Sequence, residues 1–349
     1  MAPNHNFTTN TNSQFPSFKI RNTVKVNGKF AYDNSNIQLI PINRKFFAVV
    51  GCLEPTPSRL QFRYYSSKTF KELSCYSPNE LVRSFQETFK YWPTRQFFIL
   101  GTPDRELVIY NSISRKKKMS HKLPVKSNGS NNRHQNNFYA FCVADSSRIA
   151  VIVNETDSIK DNLFYLLDIN DMSTKPVQFL KEAKFEAITS NEKGCIAVFG
   201  ITQHKGIIGI YNLKDDVWIK EIDLGMYPQY RYPSFQADSL IVPIIRRDID
   251  YCHYLICYDA VGNNQYNQRV FEKVDPSQGI QTIFFLQENN ILFNMYRKNV
   301  GTRSGKMYSY NRENRRLSEL DTMHNLFIIA GRVCISVTDW AFKIIEVIN

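Results

Sequence analysis

FEAITSNEKGCIAVFGITQHKGIIGIYNLKDDVWIKEID, residues 185–223, reads as four short strands in succession. The stretches 185–188, 195–201, 206–212 and 217–223 are rich in Val, Ile and aromatic residues, and polar turn-formers such as Asn191, Gly194 and Lys214-Asp215-Asp216 separate them. β-branched and aromatic runs bounded by Asn, Asp, Gly and Ser are strand signals, and connections this short join antiparallel neighbours. The stretch is therefore expected to form a four-stranded antiparallel meander.

The same phrase recurs along the chain. An apolar run ends in an aromatic or aliphatic residue and then Asn or Asp at Tyr110-Asn111, Leu167-Asp168, Tyr211-Asn212, Tyr258-Asp259 and Tyr310-Asn311. Looser copies end at Tyr64-Tyr65 and Ile345-Glu346. The recurrence comes roughly every 50 residues, the step of a repeat built from one supersecondary unit. A second apolar run precedes each copy, at 46–52, 96–101, 149–154, 195–201, 239–245, 290–296 and 332–338. Nearly continuous apolar runs of this length suit strands buried on both faces. The last unit, from residue 326, ends after its third strand. Residues 18–26, with Phe18, Ile20, Val24 and Val26 alternating with polar and basic residues, would supply the missing outer strand and so remove the exposed edges at both chain ends.

On these residues the chain resembles a seven-bladed β-propeller of the WD40 or kelch type across nearly its whole length. The resemblance implies an all-β fold of four-stranded antiparallel blades with the ring closed by an N-terminal strand, six or eight blades being the alternatives. Tyr-Asn or Tyr-Asp stands where WD40 repeats carry Trp-Asp. Residues 211–218 resemble the second half of a kelch repeat without its Gly-Gly pair, and residues 110–124 are similar to the repeats of F-box-associated domains. A fold of this kind does not bring a function with it. The expected organisation is a flexible Asn/Thr/Ser-rich tail over 1–17 and one domain over 18–349. Two departures interrupt the repeat. Ser77-Pro78-Asn79-Glu80 reads as a capping box with Pro at the first helical position, which predicts a short helical insertion near 78–91. Residues 115–137 hold a basic run and a polar Ser/Asn/Gly tract, which predicts a mobile loop.

Composition bounds the function. Of 349 residues 43% are hydrophobic and 22% charged, which excludes a disordered or collagen-like chain. Lys and Arg outnumber Asp and Glu 44 to 32, for a net charge of +12 and a pI near 9.3, so the far field attracts anionic partners: acidic proteins, nucleic acid or anionic lipid. The 7 Cys are scattered singly, mostly inside apolar runs, as in a reducing compartment. No apolar stretch approaches the roughly 20 residues of a membrane-spanning helix, so no membrane insertion is expected. The N-terminus lacks the apolar segment of a secretory signal. An intracellular location is expected, cytoplasmic or cytoskeletal, with mitochondrial and nuclear ones as alternatives; the first acidic residue is Asp33, yet Arg is scarce before it and no amphipathic helix is evident.

Chemistry is marked mainly by missing motifs. The sequence has no phosphate-binding Gly-rich loop, no dinucleotide fingerprint, no His-Glu-x-x-His and no Cys-x-x-Cys. Cys252, His253 and Cys257 form the nearest metal-like cluster, but neighbours on a strand point to opposite faces. No catalytic residue, cofactor, metal ligand or small-molecule substrate is assigned, and an enzyme is the last reading.

The basic residues carry the remaining signal. Arg246-Arg247 follows a second strand, Arg115-Lys116-Lys117-Lys118 forms a run, and Arg315-Arg316 occupies a turn. Tyr230-Arg231-Tyr232 sets a cation between aromatics. Exposed Arg and Tyr serve as protein hot spots, and cations beside stacking rings serve single-stranded nucleic acid. The expected function is a non-catalytic scaffold for protein–protein interactions in a multi-subunit assembly, whose partners carry acidic surfaces. RNA or ribonucleoprotein binding is the second reading, and a kelch-like or F-box-associated-like substrate receptor the third.

Overall fold

The computed structural model describes residues 17–25, 38–52, 58–83, 88–124, 139–154, 162–179, 182–203, 205–226, 229–230, 233–236, 238–246, 252–271, 278–287, 290–297, 305–311, 313–314, 316–320, 326–328, 333–338 and 341–348. Among these residues the strands form seven antiparallel sheets, taken here in chain order. Sheet 1 runs Gln38–Pro41, Phe46–Cys52, Ser58–Ser66, Glu72–Tyr76; sheet 2 runs Phe89–Trp92, Phe97–Gly101, Glu106–Asn111, Lys117–Lys122. Sheet 3 follows with Tyr139–Val143, Arg148–Val153, Leu163–Asp168, Thr174–Pro176, and sheet 4 with Lys184–Ser190, Cys195–Ile201, Lys205–Asn212, Val217–Met226. In sheet 5 both Gln229–Tyr230 and Ser234–Gln236 pair with Ser239–Arg246, which leads to Cys252–Asp259 and Asn264–Phe271. Sheet 6 is Gln278–Gln287, Asn290–Arg297, Gly305–Asn311, Arg316–Leu320. Sheet 7 is Leu326–Ile328, Val333–Thr338 and Ala341–Ile348, to which Ser17–Lys25 adds antiparallel as the fourth strand, Ser17 opposite Ile348 and Lys25 opposite Ala341.

Burial explains why the order is legible. The second strands of sheets 1 to 4 are buried almost throughout: of Phe46–Cys52 only Phe46 has more than slight exposure, and Arg148–Val153 is the same past Arg148. The fourth strands of the first three sheets are largely exposed, Lys117–Lys122 alternating and Thr174–Pro176 throughout. Cores form between neighbouring sheets. Val50, Phe62 and Tyr64 of sheet 1 pack on Phe89, Phe98 and Val108 of sheet 2, with the Phe62 and Phe98 rings 4.6 Å apart. Similar clusters join sheets 2 and 3, 3 and 4, and 4 and 5. Between sheets 3 and 4, Trp218 lies over Gly209, where an added Cβ would sit 2.7 Å from the indole. The first strands follow one another: that of sheet 2 touches that of sheet 3, sheet 3 touches sheet 4, sheet 4 touches Ser234–Gln236, and Gln38–Pro41 touches Leu326–Ile328 of sheet 7.

The recurring Asn or Asp is a turn device. At the ends of the third strands of sheets 2, 4, 5 and 6 its side-chain oxygen accepts from backbone N–H groups two to four residues on: Asn111 from Ile113 (3.1 Å) and Ser114 (2.7 Å), Asn212 from Lys214 (2.9 Å), Asp259 from Val261 (3.1 Å) and Asn263 (2.7 Å), Asn311 from Glu313 (3.1 Å) and Asn314 (3.0 Å). Asp168 does the same to Asn170 (2.8 Å), and in sheet 1 the Ser66 hydroxyl takes the place, accepting from Lys68 (3.3 Å) and Thr69 (3.1 Å). These Asx and Ser/Thr turns reverse the chain into the fourth strand. Four residues past the cap the backbone goes left-handed, at Phe70, Arg115, Met172 and Asp216, with φ between 55° and 62°.

Two expectations are corrected. The loop predicted over 115–137 begins as a strand, since Asn111 turns the chain and Lys117–Lys122 becomes the fourth strand of sheet 2; residues 125–138 lie outside the described residues. The helix predicted near 78–91 yields at both ends. Leu81–Val82 pairs back on Ser58 and Arg59, and Phe89–Trp92 is the first strand of sheet 2. Glu80, read as a cap, instead accepts from the Tyr110 hydroxyl; residues 84–87 lie outside the described residues. The tail predicted over 1–17 also lies outside them up to residue 16, and Ser17 belongs to the first strand.

Candidate interaction surface

In a four-stranded meander the turns from first to second and from third to fourth strand lie at one end of the sheet, and the second-to-third connection at the other. Each sheet thus contributes to a turn face and an opposite face. The predicted site residues divide between them. Arg246 ends the second strand of sheet 5, on the opposite face, and Tyr230 pairs with Ile244 beside it. Arg231, Tyr232 and Arg247 lie outside the described residues, as does Arg315. Arg316 opens the fourth strand of sheet 6 on the turn face, exposed and opposite Asn311. Arg115, Lys116, Lys117 and Lys118 belong to the turn face of sheet 2. The described ones among these residues fall on both faces and on different sheets rather than in one patch.

Arg115 is engaged within the fold. Its guanidinium sits 4.4 Å from the centroid of the Tyr64 ring and donates to the Ser74 hydroxyl, so it clamps sheet 2 on sheet 1. Tyr64 is itself fixed, its hydroxyl donating to the Ser112 carbonyl at 3.0 Å, and burial pushes its pKa up to about 12 although Arg115 pulls the other way. Lys117 reaches Glu80 at 3.5 Å. Lys116 and Lys118 are exposed.

Beside them the turn face of sheets 1 and 2 carries cations that no sequence motif marked. Arg44 and Lys45 occupy the first turn of sheet 1, held by Asn43, whose side-chain oxygen accepts from Lys45 N at 2.8 Å and Phe46 N at 3.1 Å. Lys68 and Lys71 occupy its second turn, tied to the first by Ser67 N donating to Lys45 O at 2.9 Å. Arg44, Lys45, Lys68, Lys71, Lys116 and Lys118 are exposed and have no carboxylate partner among the described residues. Two acids of this region are engaged within the fold, the exposed Glu72 and the half-buried Glu80. Glu72 accepts from the Tyr65 hydroxyl at 3.2 Å and lies 3.8 Å from the buried Arg63, and Glu80 serves Tyr110 and Lys117. Burial and the Glu80 carboxylate together raise the Tyr110 pKa well above the ordinary value.

Most cations on the turn face of sheets 3 and 4 are paired instead, although Lys214 is exposed without an ion-pair partner among the described residues. Arg148 meets Asp145 at 2.5 Å, Lys193 meets Asp238 at 3.3 Å, and Lys175 meets Asp216. Burial works against the Asp145 carboxylate, but hydrogen bonds from the Arg148 side chain and from the Ser147 and Arg148 amides outweigh it and hold its pKa below the usual range. The turn face is also stitched sheet to sheet. Arg95 Nε donates to Ser146 O at 2.8 Å, Tyr91 OH to Ile42 O at 3.4 Å, and Gly194 N to Ala144 O at 3.1 Å. Among the described residues no group of three His, Cys, Asp or Glu is placed to hold a metal ion, and no helix is long and apolar enough to cross a membrane.

No protein-family model matches the chain, and no curated protein does. Among solved structures it is similar to the crystal structure of the Myceliophteria thermophila Cps50 (Swd1) β-propeller domain, with a TM-score of 0.58 and 10% identity over 95% of this chain and 100% of that one. With the sheet pattern above, that likeness defines the class: the chain is a β-propeller, remote in sequence from the propeller it matches.

Proposed function

We propose that the protein is a non-catalytic intracellular scaffold, a propeller that holds partner proteins within a larger assembly. One observation carries this reading: a hydrogen-bonded turn face presents, over sheets 1 and 2, six exposed cations without a carboxylate partner among the described residues, while Arg148, Lys175 and Lys193 on sheets 3 and 4 are each paired with an aspartate. Desolvating a charge that already has a fold partner brings little; cations held in place without one are free to meet an anionic partner and to steer its approach. The net charge of +12 favours the same class of partner at long range. The test is affinity purification of the tagged protein from its native cells, with half of the lysate treated with nuclease. A stoichiometric, nuclease-resistant set of proteins is the expected result. Loss of all partners on nuclease treatment would replace the protein scaffold with ribonucleoprotein binding.

A further inference from the structure

We infer that the turn face of sheets 1 and 2 is a docking surface for an acidic peptide segment, one rich in Asp and Glu with interspersed aliphatic residues. The inference rests on the scaffold reading and adds to it the place and the chemistry of the partner. Arg44 and Lys45, Lys68 and Lys71, and Lys116 and Lys118 come from three turn or strand-start positions separated in sequence, and the backbone bond from Ser67 to Lys45 together with the Arg115 clamp on Tyr64 and Ser74 holds those three positions against one another. Arg115 is thus a positioning residue. Its own charge is spent on a ring and a hydroxyl, and it fixes where Lys116 and Lys118 stand.

Two further features favour carboxylates on a protein over phosphates on RNA. Leu73, on the fourth strand of sheet 1 two residues past Lys71, is 57% exposed, and Ile113, in the turn before Arg115, is 44% exposed. Both offer apolar contact that a peptide side chain uses and a phosphate backbone does not. Stacking platforms for bases are missing among the described tyrosines here: Tyr64 and Tyr110 are buried, and Tyr76 and Tyr91 are half-buried against Phe62 and Phe98. Single-strand binding depends on aromatic rings open to the solvent.

The test uses the full chain, a fluorescein-labelled peptide of about twelve residues made of Glu and Asp with two Leu, and a U-rich RNA of similar length, followed by fluorescence anisotropy near physiological ionic strength. The triple variant K45E/K68E/K71E alters side chains that are exposed and outside the core, and its melting temperature verifies that it folds. The peptide is expected to bind the wild type, to bind the triple variant at least about tenfold more weakly, and to bind K214E, a charge reversal on sheet 4, as it binds the wild type. Equal affinity of wild type and triple variant for the peptide would overturn the inference, and so would RNA that binds more tightly than the peptide and is lost in the same variant. The same variants separate this inference from the reading beneath it. Protein partners that co-purify with wild type and triple variant alike leave the scaffold standing and remove this surface, whereas a wild type without any protein partner removes the scaffold itself.

Discussion

Replacing Arg115 distinguishes a clamp from a contact residue. Its guanidinium is half-buried over Tyr64 and bonded to Ser74. A cation over a partly desolvated ring contributes about 1 kcal/mol, and a hydrogen bond from a charged donor in a half-exposed setting about as much again, so Arg115→Ala is expected to cost about 2 kcal/mol. Unfolding entropy of about 2.1 cal/mol/K per residue, for a chain that melts in one transition, gives roughly 0.7 kcal/mol/K here, and the loss appears as a fall in melting temperature of about 3 K. Arg115→Lys keeps the charge but loses the planar stack, and recovers less than half of that. Arg115→Gly loses the same contacts yet relieves the left-handed backbone at φ 60°, so it melts about 1 K above the Ala variant. Tyr64→Leu, combined with Arg115→Ala in a double-mutant cycle, should show a coupling of about 1 kcal/mol. Differential scanning calorimetry on the series reads all of these. An Ala variant that melts with the wild type, or a Lys variant that fully replaces Arg, would refute the clamp and return Arg115 to the exposed contact residues.

Other parts of the propeller make similar demands. Asn154, 2% exposed, donates to Phe185 O at 2.6 Å and accepts from Phe185 N at 3.0 Å, binding sheet 3 to sheet 4; Asn154→Ala strands both buried backbone groups and should cost about 2–4 kcal/mol in urea unfolding, with an unchanged midpoint refuting it. The Asp145 carboxyl, held below its ordinary 3.8, takes up its proton later than it does in the unfolded chain as pH falls. Its stabilisation is therefore complete above that value and fades as pH drops through the folded one. Asp145→Asn, which keeps the turn acceptor, should melt below the wild type at neutral pH, with the gap narrowing as pH falls below 3.8; a gap independent of pH would contradict this. Deleting residues through 16 should leave unfolding cooperative, and deleting through 25, which removes the strand paired with Ala341–Ile348, should abolish it; equal urea transitions for the two truncations would sink that strand's part in completing sheet 7.

Much of the architecture was legible because its determinants are local. An Asn or Asp at a strand end bonds to amides two to four residues on, so the phrase Tyr-Asn survives wherever that turn is needed even though the surrounding residues vary. The second strands of sheets 1 to 4 are legible because burial on both faces leaves them almost wholly apolar. Lys117–Lys122 was missed for the converse reason: a fourth strand with one neighbour buries little and has the composition of a loop. The helix expected near 78–91 gives way at its ends because strand pairing outcompetes the local capping pattern: Leu81–Val82 pairs with Ser58 and Arg59, and Phe89-Lys90-Tyr91-Trp92 with 97–100 across a tight turn. The surface lay furthest from view. Lys45, Lys68 and Lys116 meet only through the meander, and nothing in a one-dimensional reading separates an Arg stacked on a tyrosine from lysines left in solvent one residue away.

The most direct measurement is lysine-reactive cross-linking of the native assembly, read by mass spectrometry. If partners dock on the turn face of sheets 1 and 2, links to other proteins concentrate on Lys45, Lys68, Lys71, Lys116 and Lys118, while the equally exposed Lys193 and Lys214 on sheet 4 give few. Links spread evenly over both groups, or concentrated on Lys193 and Lys214, would contradict the account.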